Sequence, residues 1–239
     1  MFRRMITVRH LNKTFKNLRA VSDVSFDVPA CQVLGLLGPN GAGKTTTMRM
    51  LTTFIQPTSG SISVAGCNLE QSPDEIRRNI GYLPETPPLY PELTVEEYLS
   101  FAARLREIAS REVKSKVEAV LEMCSLGEFR RTACGVLSKG YKQRVGLAQA
   151  IIHNPKVIIL DEPTSGLDPV QIIEIRKLIK GLGAEHTVVL SSHILQEVAE
   201  VCSRVLIMAK GKIVADELID ESVSGKALEQ SFIKAVEMV

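Results

Sequence analysis

Nowhere does this sequence carry an apolar run approaching the roughly 18 residues that a membrane-spanning helix needs, and stretches such as Val157-Ile158-Ile159-Leu160 fall far short. Any role at a membrane is therefore expected to require a partner. No C-x-x-C pair occurs, and the five cysteines, Cys31, Cys67, Cys124, Cys134 and Cys202, are scattered and odd in number. That pattern argues against a disulfide framework or a zinc site and favours a reducing compartment. Runs of lysine and arginine are also missing: 29 basic against 27 acidic residues leave a net charge of +2, so nucleic acid is not an expected partner. The basic residues of Met1-Phe2-Arg3-Arg4-Met5-Ile6-Thr7-Val8 precede no long apolar core, so the segment reads as the entry to a strand rather than a signal peptide. No internal repeat and no low-complexity linker is present.

What is present is an ordinary globular composition, 45% hydrophobic and 23% charged over 239 residues, enough for one large domain or one with an inserted subdomain. Alternation at Val24-Ser25-Phe26-Asp27-Val28 and Ser61-Ile62-Ser63-Val64 predicts half-exposed antiparallel strands near the front. Continuous apolar runs at Val33 to Leu37, Val157 to Leu160, Thr187 to Leu190 and Val205 to Met208 predict buried strands of a parallel sheet. Between them, Thr94-Val95-Glu96-Glu97 has the form of a capping box, followed at helical spacing by Tyr98, Leu99, Ala102 and Leu105. A second helix is predicted with Val113, Val117, Val120, Leu121 and Cys124 on one face. Residues from about 85 to about 155 thus read as a helical insertion in an α/β core made of 1–84 and 156–239. Leu228, Phe232 and Val236 space as a short docking helix.

Three motifs carry chemistry. Gly38-Pro39-Asn40-Gly41-Ala42-Gly43-Lys44-Thr45 fits G-x-x-x-x-G-K-[ST] directly after a predicted strand. Glycines let successive backbone N–H groups wrap phosphate oxygens at the positive end of a helix. Lys44 is expected to reach the β- and γ-phosphates of a nucleoside triphosphate and Thr45 to bind Mg²⁺, with Thr46 following in the same turn. Val157 to Leu160 ends in Asp161-Glu162, at the strand end where open α/β sheets place ligands. Asp161 suits the Mg²⁺ carboxylate, and Glu162 the base for an attacking water. His193 follows the strand Thr187 to Leu190 at the same expected sheet edge, while His10, His153 and His186 belong to no motif.

In their order these motifs resemble those of the ABC family of ATPases, and the resemblance covers nearly the whole chain. Leu137-Ser138-Lys139-Gly140-Tyr141-Lys142-Gln143-Arg144 is similar to the family signature, usually LSGGQ. Asp161-Glu162-Pro163-Thr164-Ser165-Gly166-Leu167-Asp168 is similar to its Walker B and D-loop, and Ser191-Ser192-His193 to its switch histidine. The resemblance implies a P-loop NTPase core with an N-terminal antiparallel β subdomain and an inserted helical subdomain, all within a single ATPase domain. It implies ATP and Mg²⁺ as cofactors, and pairing with a second copy or a paralogous cassette. Ser138 and Gly140 would then contact the γ-phosphate held by the opposite cassette, and Asp168 would couple the two sites. Read locally, Ser138 is a helix N-cap in either case, and Asp168 can start the helix after Pro169. Phe15 stands where the family stacks an aromatic on adenine; the alternative is a core phenylalanine.

The chain departs from the family pattern at Glu85, where a Q-loop glutamine should follow Ile80-Gly81-Tyr82-Leu83-Pro84, and at Lys139 and Tyr141 in the signature. A carboxylate at 85 adds negative charge beside Mg²⁺ and the γ-phosphate, attracting the metal while repelling the nucleotide. The same departures resemble one branch of the family, the gliding-motility-type and multidrug-type exporters. That likeness implies a separate permease and a place at the cytoplasmic face of the membrane. The Glu85 to Pro91 loop, with Leu89 and Tyr90 expected to be exposed, is where the resemblance places the permease contact. An ABC ATPase acting on ribosomes or DNA remains the alternative, though neither paired cassettes nor a basic surface is visible. A GTPase would want N-K-x-D after the phosphate loop, and Asn12-Lys13-Thr14-Phe15 precedes it and lacks the Asp.

Overall fold

The computed structural model describes residues 4–219 and 232–233. Strands β1 (Arg4–Phe15) and β2 (Leu18–Pro29) form a long antiparallel pair, extended by β4 (Ser59–Val64) and β5 (Cys67–Asn68) into a four-stranded sheet of order β2-β1-β4-β5. The alternation at Val24, Phe26 and Val28 is realised directly, these three side chains being buried while Ser25 is exposed. A second, six-stranded sheet has the order β10-β9-β3-β8-β7-β6, built from β3 (Val33–Leu37), β6 (Ile80–Leu83), β7 (Val157–Leu160), β8 (Thr187–Ser192), β9 (Arg204–Ala209) and β10 (Lys212–Leu218). All of its pairings are parallel except β9 with β10.

The continuous apolar runs are explained by two cores, one on each face of this sheet. Leu34, Leu36, Val157, Ile159, Val189, Leu206 and Met208 face the first core, with Ile6, Val8 and Phe26 of the antiparallel sheet and Met48 of helix α1 (Lys44–Leu51). Val33, Leu37, Ile158, Leu160, Val188, Leu190, Val205 and Ile207 face the second, which five helices complete. These are α3 (Val95–Leu105), α4 (Ser110–Met123), α5 (Lys139–Ile151), α6 (Pro169–Gly183) and α7 (Leu195–Val201). A strand covered on both faces has no use for a polar alternate position, so the period of two vanishes from its hydropathy.

The helices keep most of their expected faces. Thr94 and Glu97 form the capping box, with Glu97 Oε2 accepting from Thr94 N–H at 2.9 Å and Thr94 Oγ1 from Glu97 N–H at 3.3 Å. Val113, Val117, Val120, Leu121 and Cys124 are all buried. Leu105, placed by spacing on the inner face of α3, is instead 72% exposed, because the buried stripe runs through Val95, Tyr98, Leu99, Ala102 and Ala103 and passes beside it. Leu89 is likewise not exposed as expected: it packs half-buried on the second core, and only Tyr90 stands out, edge-on to Phe101 at 5.5 Å. A short helix α2 (Pro73–Asn79) had no periodicity to announce it, although Pro73 with Asp74 and Glu75 in its first turn and Arg77 and Arg78 in its last are helix-end signals. Of the expected C-terminal helix, Phe232 packs half-buried against the second core, while Leu228 and Val236 lie outside the described residues, as do Met1 to Arg3.

Just beyond α5, His153 faces the carbonyl of Ile80 through Nε2 at 3.1 Å, and its Nδ1 is buried without a partner. Burial, with Arg106 nearby, pushes its pKa down from the ordinary 6.5 to about 4. The folded protein therefore holds His153 neutral, and stability fully present above pH 6.5 is lost as pH falls toward 4. His153→Gln, whose amide can still donate to Ile80, should be less acid-sensitive: between neutral pH and pH 5 the wild type should lose about 2 kcal/mol more, read from urea unfolding midpoints.

Candidate active site

At the C-terminal edge of the parallel sheet the chain leaves β3 into the loop Gly38 to Gly43 and enters α1 at Lys44. Gly41 and Gly43 sit at φ 81° and 101°, a left-handed region closed to most L-residues, and a Cβ on Gly43 would also come within 2.6 Å of the Ala20 carbonyl. Gly43 is the N-cap of α1, and no side chain caps the helix. The first-turn amides of α1 thus have neither a capping side chain nor, by helix geometry, an intrahelical acceptor, which is the arrangement that receives an anion. Lys44 is only 5% exposed; its Nζ donates to the carbonyls of Gly38 at 2.7 Å and Pro39 at 3.3 Å and lies 3.4 Å from Glu162 Oε1.

This loop forms one wall of a cavity of about 770 Å³, through Asn40, Gly41, Ala42, Gly43, Lys44, Thr45 and Thr46. Gly38 and Pro39 hold Lys44 from beneath and are not part of the lining. Phe15, Leu18, Arg19 and Ala20, at the turn of the β1–β2 hairpin, form another wall, and Glu85, Glu162, Ser165, His193 and Lys210 complete it. Phe15 is 44% exposed and so is not a core residue; Lys13 Nζ stands 5.0 Å from its ring centroid. A volume of this size, lined by an aromatic ring and by a glycine loop with an ammonium, suits a nucleotide.

The acids at the end of β7 are held by the end of β8. Ser191 Oγ donates to Asp161 Oδ1 at 2.7 Å and accepts from the Glu162 N–H at 2.9 Å, while Thr45 Oγ1 donates to Asp161 Oδ1 at 3.1 Å. Glu162 takes φ 48°, rare for a side-chain-bearing residue, and its Oε2 meets His193 Nδ1 at 2.9 Å. Lys44, Glu162 and His193 are therefore one connected chain of charged and hydrogen-bonding groups. Burial raises the pKa of Asp161, as do the charges of Glu162 and Glu85; the hydroxyls of Ser191 and Thr45 oppose the shift. Among the described residues no group of three or more His, Cys, Asp or Glu could hold a metal alone. Magnesium does not require one, since it takes one or two protein oxygens together with phosphate oxygens and water. Thr45 and Asp161 are such oxygens, side by side, so the donor set fits.

Glu85 stands at the rim, its Oε1 accepting from Ser165 Oγ at 3.4 Å and its backbone carbonyl from the buried Gln143 of α5 at 2.9 Å. Ser138, Gly140 and Asp168 do not line this cavity. Ser138 caps α5, accepting from Tyr141 N–H at 3.5 Å, and Asp168 caps α6, accepting from Val170 and Gln171 N–H at 3.0 Å each. Gly140 packs against Gln171 of α6, where a Cβ would collide. Sequence reasoning missed the bridging hydroxyl of Ser191, the Gln143 bond and the contributions of Leu18, Arg19, Ser165 and Lys210. Only the serine, standing just past an apolar strand beside His193, carried a local signal.

An acid whose folded pKa is raised lowers stability as pH rises through that value. Asp161→Asn, without nucleotide or Mg²⁺, should therefore melt a few degrees above the wild type at neutral pH, with the gap closing toward pH 3.8. Added MgATP should raise the melting temperature of the wild type much more than that of the variant, as scanning calorimetry would show.

Known proteins share this organisation. Residues 21–165 match the family model described as ABC transporter. The ABC transporter ATP-binding protein YxlF of Bacillus subtilis is 43% identical over 87% of this chain and 69% of its own length. The bacitracin transport ATP-binding protein BcrA of Bacillus licheniformis is 40% identical over 89% of this chain and 69% of its own. Among solved structures, an ATP-binding subunit of an ABC transporter superposes with a TM-score of 0.85 at 30% identity, covering 97% of this chain and 99% of that one. An ATP-binding cassette seen as a dimer in a post-hydrolysis state with ADP and Pi gives 0.83 at 25% identity, over 90% and 99%. With a family model spanning more than half its length and relatives this similar along most of it, the chain belongs to the ABC transporter family, among its ATP-binding subunits.

Proposed function

We propose that this subunit hydrolyses ATP between two cassettes and thereby drives a separate membrane permease in the direction of export. The observation that carries the hydrolytic part is Glu162, buried and held between Lys44 and His193 on the wall of the nucleotide-sized cavity. In this reading the adenine lies against Phe15 and the phosphates enter the loop Gly38 to Gly43. Thr45 and Asp161 would hold Mg²⁺, which when bound would supply positive charge to the phosphate oxygens. Lys44 adds its ammonium to the same oxygens. Glu162 takes the proton of the attacking water, and the bond to His193 Nδ1 keeps its carboxylate oriented, leaving Nε2 for the γ-phosphate. Glu85, at the rim, adds a charge that tunes the affinity for the metal.

Pairing is supported by what the cavity lacks. Ser138 and Gly140 lie outside their own chain's cavity, at the start of a helix whose first-turn amides can serve a neighbour's phosphate. The dimeric solved relative supports the same arrangement. A second copy or a paralogous cassette would close the site, with Asp168 at the junction. No helix among the described residues is long and apolar enough to cross a membrane, and in this reading a separate permease supplies the transport path. Export is supported by the resemblance to the exporter branch, and transport by the relative named for bacitracin transport. Work at the cytoplasmic face follows from where ATP is found.

Glu162→Gln should still bind MgATP and dimerise while its turnover falls by roughly 10² to 10⁴. Phosphate release and size-exclusion chromatography measure the two properties, and undiminished turnover would remove Glu162 from the mechanism. Glu85→Gln should displace the Mg²⁺ dependence of turnover; superimposable titrations would remove Glu85 from the metal site. Purification from native membranes should bring down a multispanning permease, whereas ribosomal proteins in its place would overturn the transport reading.

A further inference from the structure

Glu197 lies outside the cavity and has no role in the chemistry above, yet it is only 5% exposed. It sits on α7, one helical turn past His193, and a single oxygen of its carboxylate serves two segments. Oε2 accepts from Thr164 Oγ1 at 2.7 Å and from Ser192 Oγ at 2.8 Å. Thr164 is two residues beyond Glu162, and Ser192 immediately precedes His193. The Ser192 hydroxyl also accepts from Ile194 N–H at 3.0 Å, bridging the two sides of His193. From α6, Arg176 Nη2 approaches Glu197 Oε1 at 3.9 Å while its other nitrogen is paired with Glu200.

Backbone pairing between β7 and β8 ends at Leu160↔Leu190. Beyond that point Ser191 and Ser192 stay paired with Leu36 and Leu37 of β3, and the Asp161 amide donates to the Leu83 carbonyl. Glu162 turns through a left-handed φ and His193 through a bend, and the bonds that join these two segments to each other involve side chains. Ser191 joins them beside Asp161, and Glu197 joins them on the far side. A buried carboxylate is unfavourable unless hydrogen bonds and an opposite charge offset it. Here the offset comes from two hydroxyls belonging to the two segments that must meet.

We propose that Glu197 is a positioning residue for hydrolysis: by gripping Thr164 and Ser192 with one oxygen it sets the 2.9 Å contact between Glu162 and His193. This rests on the reading that Glu162 and His193 act in ATP hydrolysis, and Glu197 acts only through them.

The test uses the full chain and MgATP, with turnover and nucleotide affinity measured for Glu197→Ala, Glu197→Gln and Thr164→Val, each in wild-type and His193→Ala backgrounds. Glu197→Ala should lower kcat about tenfold or more and leave the MgATP Kd within about twofold, because Glu197 touches no nucleotide. Glu197→Gln, whose amide oxygen still accepts both hydroxyls, should restore most of the loss. In the His193→Ala background, Glu197→Ala and Thr164→Val should each cost less than about twofold more, since the contact they set is already gone. Wild-type kcat in Glu197→Ala, a full repeat of its loss without His193, or a glutamine no better than alanine would each overturn the proposal. If Glu197→Ala fails to bind MgATP and is thus misfolded, Thr164→Val decides by the same criteria of kcat, Kd and non-additivity. Failure of the underlying reading looks different: undiminished turnover in Glu162→Gln, whatever happens at Glu197.

Discussion

Parallel pairing of β3, β8 and β7 is the constraint on which the rest of the molecule depends. Because these strands run one way and pair as Leu37↔Ser192 and Leu160↔Leu190, their ends open onto a single edge. Gly38, Asp161 and His193 come from three distant stretches of sequence, and this pairing alone makes them neighbours. The two cores follow from the same requirement: a parallel sheet needs cover on both faces, and the antiparallel sheet with α1 and α2 supplies one layer while α3 to α7 supply the second.

At that edge the chain gathers a buried ammonium, Lys44, and two buried carboxylates, Asp161 and Glu162, beside the exposed His193 and Glu85. Each is held by a specific partner: Lys44 by two carbonyls and Glu162, Asp161 by two hydroxyls, Glu162 by His193. Burial holds the pKa of Asp161 above its ordinary value despite the hydroxyls of Ser191 and Thr45. A divalent cation on that oxygen would offset the cost of burial, so the same feature that weakens the fold favours the ligand.

Much of this was legible in the residues because it is local. The phosphate loop, the capping box, the alternation of Val24, Phe26 and Val28 and the unbroken runs of the parallel strands all depend on neighbours a few positions apart. What was not legible depends on pairing across the chain. Leu18 and Arg19 reach the cavity because a hairpin folds over it, and Gln143 meets the Glu85 carbonyl because α5 lies along β6; neither follows from any period. Leu105 shows the opposite error, a residue with the right spacing on the wrong side of a stripe whose centre the tertiary packing decides. The left-handed turn at Glu162 likewise has no glycine to announce it, and its amide donates to the hydroxyl of Ser191 from another strand.

The contact of Gly140 with Gln171 gives the signature segment a mechanical meaning apart from any phosphate. Hydrogen in place of a methyl lets the first turn of α5 seat directly on the first turn of α6, and Lys139 likewise lies over Gly166. A methyl at 140 would press these two turns apart or displace the Gln171 side chain between them, so the position favours hydrogen whether or not a phosphate is near.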